Sequence, residues 1–129
     1  MPPRPVRPTE SELEILTVLW SQGPSTVREV YETLRRKRKS TQYAAVLKFM
    51  QIMAQKGLLA RDETDRAHVY APVHSRELIQ QQLAGDLLQR GFDWSMKNLL
   101  IGALSARKAT KEELAELRKL LDDYEKGKR

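Results

Sequence analysis

Apolar residues recur at helical spacing through the first part of the chain. Leu13, Leu16 and Trp20, widened by Ile15 and Leu19, make one stripe, and Val27, Val30, Tyr31 and Leu34 make a second. Thr9 and Glu12 stand at capping-box spacing ahead of the first stripe, and Gly23-Pro24 ends it. Ser25 or Thr26 caps the second helix, whose wet side carries Arg28, Glu29 and Glu32. Ser40-Thr41 caps a third helix running to about Gln55, with Val46, Phe49, Met50 and Met53 as its buried face and Lys48, Gln51 and Gln55 on another side. Lys56-Gly57 closes it, because glycine takes the left-handed conformation without a Cβ clash. The pattern then shortens: residues 58–62 and 67–72 predict two short strands joined by a polar turn over residues 63–66.

Three short helices followed by a hairpin is the order of a winged helix-turn-helix. From Ser75 the helical period returns: Leu78, Leu83, Leu87 and Leu88 lie in a segment ending near Gly91. A second helix is expected from Trp94 to about Leu104, and Thr110 with Glu113 opens a third through Tyr124, striped by Leu114, Leu117, Leu120 and Leu121. The expected fold is thus mostly α with a small β-hairpin wing. Residues 1–8, rich in proline, form a flexible N-terminal arm, residues 9–74 the winged helix, and residues 75–129 a helical dimerisation segment. So much leucine in a segment of 55 residues is hard to bury without a partner chain. Leu83, Leu87, Leu88, Leu99, Leu100, Leu114, Leu117 and Leu121 are the expected dimer residues. Trp94 either anchors that dimer or caps the core of the segment.

Composition narrows the function classes. A chain of 129 residues supports one globular domain with a dependent appendage, and its longest uncharged apolar run, residues 98–106, is too short to span a bilayer. The N-terminal MPPRPVRP lacks the apolar stretch of a secretory signal, so a cytoplasmic protein without membrane insertion is expected. With no cysteine and only His68 and His74, thiolate metal sites and cysteine nucleophiles are excluded, and no cofactor or catalytic constellation is expected. The net charge of +6 leans towards the N-terminal part: residues 1–74 hold 12 Lys/Arg against 8 Asp/Glu. That excess suits a polyanionic partner.

The order and wording of the segments resemble the penicillinase-repressor family (BlaI/MecI type). Thr9-Glu10-Ser11-Glu12-Leu13-Glu14-Ile15-Leu16 with Leu19-Trp20, then Gly23-Pro24-Ser25-Thr26-Val27-Arg28-Glu29-Val30-Tyr31, are similar to the family's first two helices. Lys56-Gly57-Leu58-Leu59 and Arg66-Ala67-His68-Val69-Tyr70 are similar to its helix-three exit and wing. The resemblance covers roughly residues 9–125 and is weaker after Ser75. It implies a dimeric transcriptional repressor on a double-stranded DNA operator, with the third helix in the major groove. It also implies regulation by a membrane sensor-protease that cuts the C-terminal segment. Where the best-known members carry an Asn-Phe bond, this chain has Gly102-Ala103, and it lacks the cysteine cluster of copper-responsive relatives.

On that reading, Thr41, Gln42, Tyr43, Ala45 and Lys48 face the base edges, Gln42 suiting adenine, Lys48 guanine or phosphate, and Ala45 a thymine methyl. Tyr43 and Ala45 alternatively belong to the core. Ser25, Thr26 and Arg28 at the second helix start are phosphate candidates, and Arg66 at the wing tip suits a minor groove. The run Arg35-Arg36-Lys37-Arg38-Lys39 either touches DNA or is simply solvated. His68 is expected in a strand in a structural role, and His74 exposed at a linker. A winged-helix protein-interaction module without DNA readout is the alternative, and it predicts no salt-dependent DNA affinity.

Overall fold

The computed structural model describes residues 7–127. Six helices and three short strands follow the order α1 (Glu10–Gln22), β1 (Ser25–Thr26), α2 (Val27–Lys37), α3 (Tyr43–Gln55), β2 (Leu59–Asp62), β3 (Val69–Pro72), α4 (Arg76–Phe92), α5 (Met96–Ala106) and α6 (Lys111–Glu125). Two compact units divide the chain inside α4, one ending at Gly85 and the other beginning at Asp86. Most of the expected N-terminal arm, residues 1–6, lies outside the described residues. Pro8, at its end, is buried.

In the first unit, local sequence chemistry fixes the starts of α1 and α2. Thr9 and Thr26 each accept a hydrogen bond from the backbone N–H three residues on, and Glu12 and Glu29 accept from the cap amides in return. Gly23 (φ +87°) and Gly57 (φ +83°) turn the chain out of α1 and α3 in the left-handed region where a Cβ would strain the backbone. The core gathers Ile15, Leu16, Val18 and Leu19 of α1, Val27, Val30 and Leu34 of α2, and Val46, Met50 and Met53 of α3. Leu58, Leu59 and Tyr70 close it from the sheet side.

The sheet is antiparallel in the order β1-β3-β2, with Ser25 opposite Tyr70 and Arg61 also opposite Tyr70. β1 is an addition to the expected hairpin: two residues carry no periodic signal, and their strand character comes from pairing with β3. Among the described residues, Glu12 is the buried charge of this unit. Its carboxylate accepts from Thr9 N–H at 2.9 Å and from Lys56 Nζ at 2.8 Å, joining the start of α1 to the end of α3. Burial pushes its pKa up, but the Lys56 ammonium and the Thr9 cap together outweigh that and hold it below the ordinary carboxylate value.

The second unit contrasts sharply. α5 and α6 contain no buried residue, although Ser95 and Thr110 cap them as the N-terminal helices are capped. Trp94 does not begin α5 as expected: Asp93 (φ +48°) and Trp94 (φ +65°) are both left-handed and reverse the chain, so the helix starts at Met96. None of the described helices is long and apolar enough to cross a membrane.

Candidate nucleic-acid interface

Successive residues of α3 lie about 100° apart, so its inward face of Val46, Met50 and Met53 fixes the opposite edge. That outward edge is Ala44, Lys48, Gln51 and Gln55, all exposed. Lys48 is therefore where the sequence put it. Ala44, Gln51 and Gln55 share that edge with Lys48 at i, i+4, i+7, i+11 spacing; Gln51 and Gln55 were expected on its side of the helix, Ala44 was not.

One flank of α3 borders the wing. A cleft of about 280 Å³ separates the start of α2 and α3 from the hairpin, and Arg28, Arg61, Arg66 and His68 all line it. Arg28 is ordered by aromatic rings: its guanidinium carbon lies 5.0 Å from the Tyr43 ring centroid and 6.0 Å from that of Tyr31. The two rings meet edge to face at 5.5 Å and 80°. Tyr43 is thus 38% exposed and packed against Tyr31 outside the buried core.

The wing turn is organised by Asp62, whose carboxylate accepts from Thr64 N–H and Oγ1–H and is held below its ordinary pKa by them, the hydroxyl more than the amide. Arg61 pairs with Glu63 and is raised first by hydrogen bonding to Tyr70, then by the Glu63 charge. Arg66 stands exposed in the turn. His68 is also exposed there, one residue before β3 rather than within a strand. Among the described residues no group of His, Cys, Asp and Glu could hold a metal ion.

Several expected contacts need revision. Ser25 is only 3% exposed, its hydroxyl donating to Gly23 O and accepting from Gln22, so it has nothing left for a phosphate. Thr26, not Ser25, caps α2; its oxygen accepts from Glu29 N–H, which leaves its hydroxyl proton free to donate. Ser40-Thr41 does not cap α3: the helix starts after Gln42, whose side chain makes no cap bond, and Thr41 N–H donates in a turn to Arg38 O. Thr41, Gln42 and Ala45 line the flank of α3 opposite the wing. Phe49, expected in the core, lies on that flank at 38% exposure.

The basic run is partly structural. Arg35, Arg36 and Lys37 occupy the last turn of α2, where cations suit the helix dipole, and Arg38 holds Glu14 of α1. The carbonyl of His74, which is half-buried, accepts from Trp20 Nε1. In the expected dimer set Leu83, Leu88, Leu99, Leu114 and Leu117 are half-buried, while Leu87, Leu100, Trp94 (62%) and Leu121 (63%) are exposed.

A family model described as Penicillinase repressor matches residues 8–123. The chain belongs to the penicillinase repressor family. The repressor is 34% identical over 117 residues to the transcriptional regulator BlaI of Mycobacterium tuberculosis, in both strain CDC 1551 / Oshkosh and strain ATCC 25618 / H37Rv. That match covers 90% of this chain and 83% of the relative. Among solved structures, a MarR family protein from Bacillus stearothermophilus shares the fold at TM-score 0.54 and 15% identity, over 96% of this chain and 76% of that one. The protein is therefore a winged-helix, DNA-binding transcriptional repressor and not an enzyme.

Proposed function

We propose that the repressor binds a pseudo-palindromic operator as a homodimer, each protomer setting α3 into the major groove of one half-site. The observation that carries this reading is the exposed edge Ala44, Lys48, Gln51 and Gln55 beside a cleft lined by Arg28, Arg61 and Arg66. Amide and ammonium groups on that edge match purine edges, Gln pairing with adenine and Lys with guanine. Arg28 and Thr26 meet phosphate, and Arg66 enters the minor groove from the wing. The domain plan is a winged helix over residues 9–74 and a dimerisation segment over residues 75–129. The leucine-rich α5 and α6, with no buried residue, support a second copy as cover. Bound over a promoter in the cytoplasm, the dimer occludes polymerase.

Release follows from loss of the dimer or of its DNA-competent geometry. If a sensor-protease acts, its target segment is the one that makes the dimer. Gly102-Ala103 lies within α5, so cleavage there requires local unwinding of the helix. The reading is tested by selecting bound sequences from a random double-stranded pool at near-physiological salt. A two-fold symmetric motif is expected. No enrichment overturns the reading in favour of a protein-interaction module.

A further inference from the structure

The wing cleft holds one more group able to meet DNA. His68 lines it, exposed, one residue before β3, and among the described residues its ring makes no hydrogen bond or ion pair. The surroundings are cationic. Arg28 comes from the start of α2, Arg61 from β2 and Arg66 from the wing turn; the phenols of Tyr43 on α3 and Tyr70 on β3 complete the titratable lining, which contains no Asp or Glu. The carboxylates of the wing, Asp62, Glu63 and Asp65, stand outside that lining, Asp62 engaged by Thr64 and Glu63 by Arg61. Even with Arg61 set against Glu63, Arg28 and Arg66 keep the cleft positive, since neither forms an ion pair among the described residues.

We propose that His68 is a phosphate contact of the repressor and that its imidazole takes up a proton from solvent when the operator docks, so that repression tightens as pH falls through the histidine range. This regulation rests on the DNA reading above and acts on the same face. Histidine is the side chain whose ordinary titration range lies between about pH 5 and 8, and an anion beside the ring favours its charged form. The lining supplies no such anion, whereas docked DNA does. Proton and operator are therefore linked: the charged ring binds phosphate, and phosphate retains the proton. A phosphate that favours the imidazolium about fivefold in each protomer raises the affinity of a dimer about tenfold between about pH 8 and pH 6. His74, the other histidine of the chain, is half-buried before α4 with its carbonyl held by Trp20, away from the cleft lining.

The test is fluorescence anisotropy of a labelled duplex recovered from the random pool, titrated with the full chain at fixed salt from about pH 8 to about pH 6. Wild type and His74→Gln are expected to gain about tenfold in affinity over that range, and His68→Gln at most about threefold. His68→Lys, which carries a permanent cation, is expected to bind more tightly than His68→Gln at the upper pH and to change little below it. The slope of log affinity against log salt should also steepen by up to about 1.8 towards the lower pH in wild type and not in His68→Gln. Equal pH dependence in wild type and His68→Gln, its loss in His74→Gln, or a salt slope that ignores pH overturns the proton coupling and leaves the operator reading standing. No DNA binding at any pH overturns both.

Discussion

Replacing Arg28 by alanine removes one phosphate cation from each protomer, hence two from a dimer. The guanidinium is exposed in the first turn of α2 and stacked on Tyr43 and Tyr31, so it is presented beside the start of α3 rather than free to sweep solvent. Each neutralised phosphate contributes about 0.9 to the slope of log affinity against log salt on B-DNA, so the slope should fall by about 1.8. Raising salt from about 50 to 200 mM then weakens the wild type roughly tenfold more than the variant. Losing the stack costs about 0.5–1 kcal/mol of stability, too little to unfold the unit. Arg28→Lys keeps the slope but loses several-fold in affinity, because an ammonium cannot reproduce the planar, two-pronged contact. Fluorescence anisotropy on a labelled operator across a salt series reads both quantities. A slope for Arg28→Ala within about 0.3 of wild type, or an equal fall for Lys126→Ala beyond the end of α6, refutes the assigned face.

Other outcomes follow from the same structure. Glu12→Gln keeps an acceptor for Thr9 N–H but loses the charge opposite Lys56; with that lysine 48% exposed, about 1–2 kcal/mol should be lost by denaturant unfolding at pH 7. Since the folded pKa of Glu12 is depressed, its contribution is present above the ordinary value of 4.5 and vanishes as pH falls through the lower folded value; stability of Glu12→Gln should be flatter across that acid window. A variant with the same acid dependence as wild type contradicts this. Leu121→Asp places a charge on a face with 63% of that leucine exposed, so the isolated chain should keep its helicity by circular dichroism yet sediment as a monomer; an unshifted dimer excludes α6 from the interface. Gly57→Ala, at φ +83°, should cost about 1 kcal/mol in thermal unfolding even though nothing lies within 4 Å of the added Cβ, and no loss would remove the backbone argument.

Much of the fold is legible in the sequence where the deciding chemistry is local. The caps at Thr9, Thr26 and Thr110 need only a hydroxyl and the N–H three residues on, and the exits at Gly23 and Gly57 need only a missing Cβ. Legibility fails where distant partners decide. β1 exists because Ser25 and Thr26 pair with Tyr70 and Val69, and the same pairing buries the Ser25 hydroxyl expected to meet phosphate. The start of α3 lies past Ser40-Thr41, where the chain first closes a turn from Thr41 N–H to Arg38 O that the apolar period does not signal. Phe49 looks like core by its period, yet it lies on the flank where α1 and α3 leave a cleft. Trp94 fits a helical stripe, but two left-handed residues hold it outside α5.

Lys48 is the sharpest point of the account, since it lies in the middle of the outward edge of α3. The most direct test is to run wild type and Lys48→Ala side by side through selection from one random double-stranded pool. The account predicts a two-fold symmetric motif for wild type and, for the variant, loss of preference at one symmetric pair of positions, with each base worth about 1–3 kcal/mol of discrimination. An identical motif from both proteins, at any affinity, would contradict readout by this face.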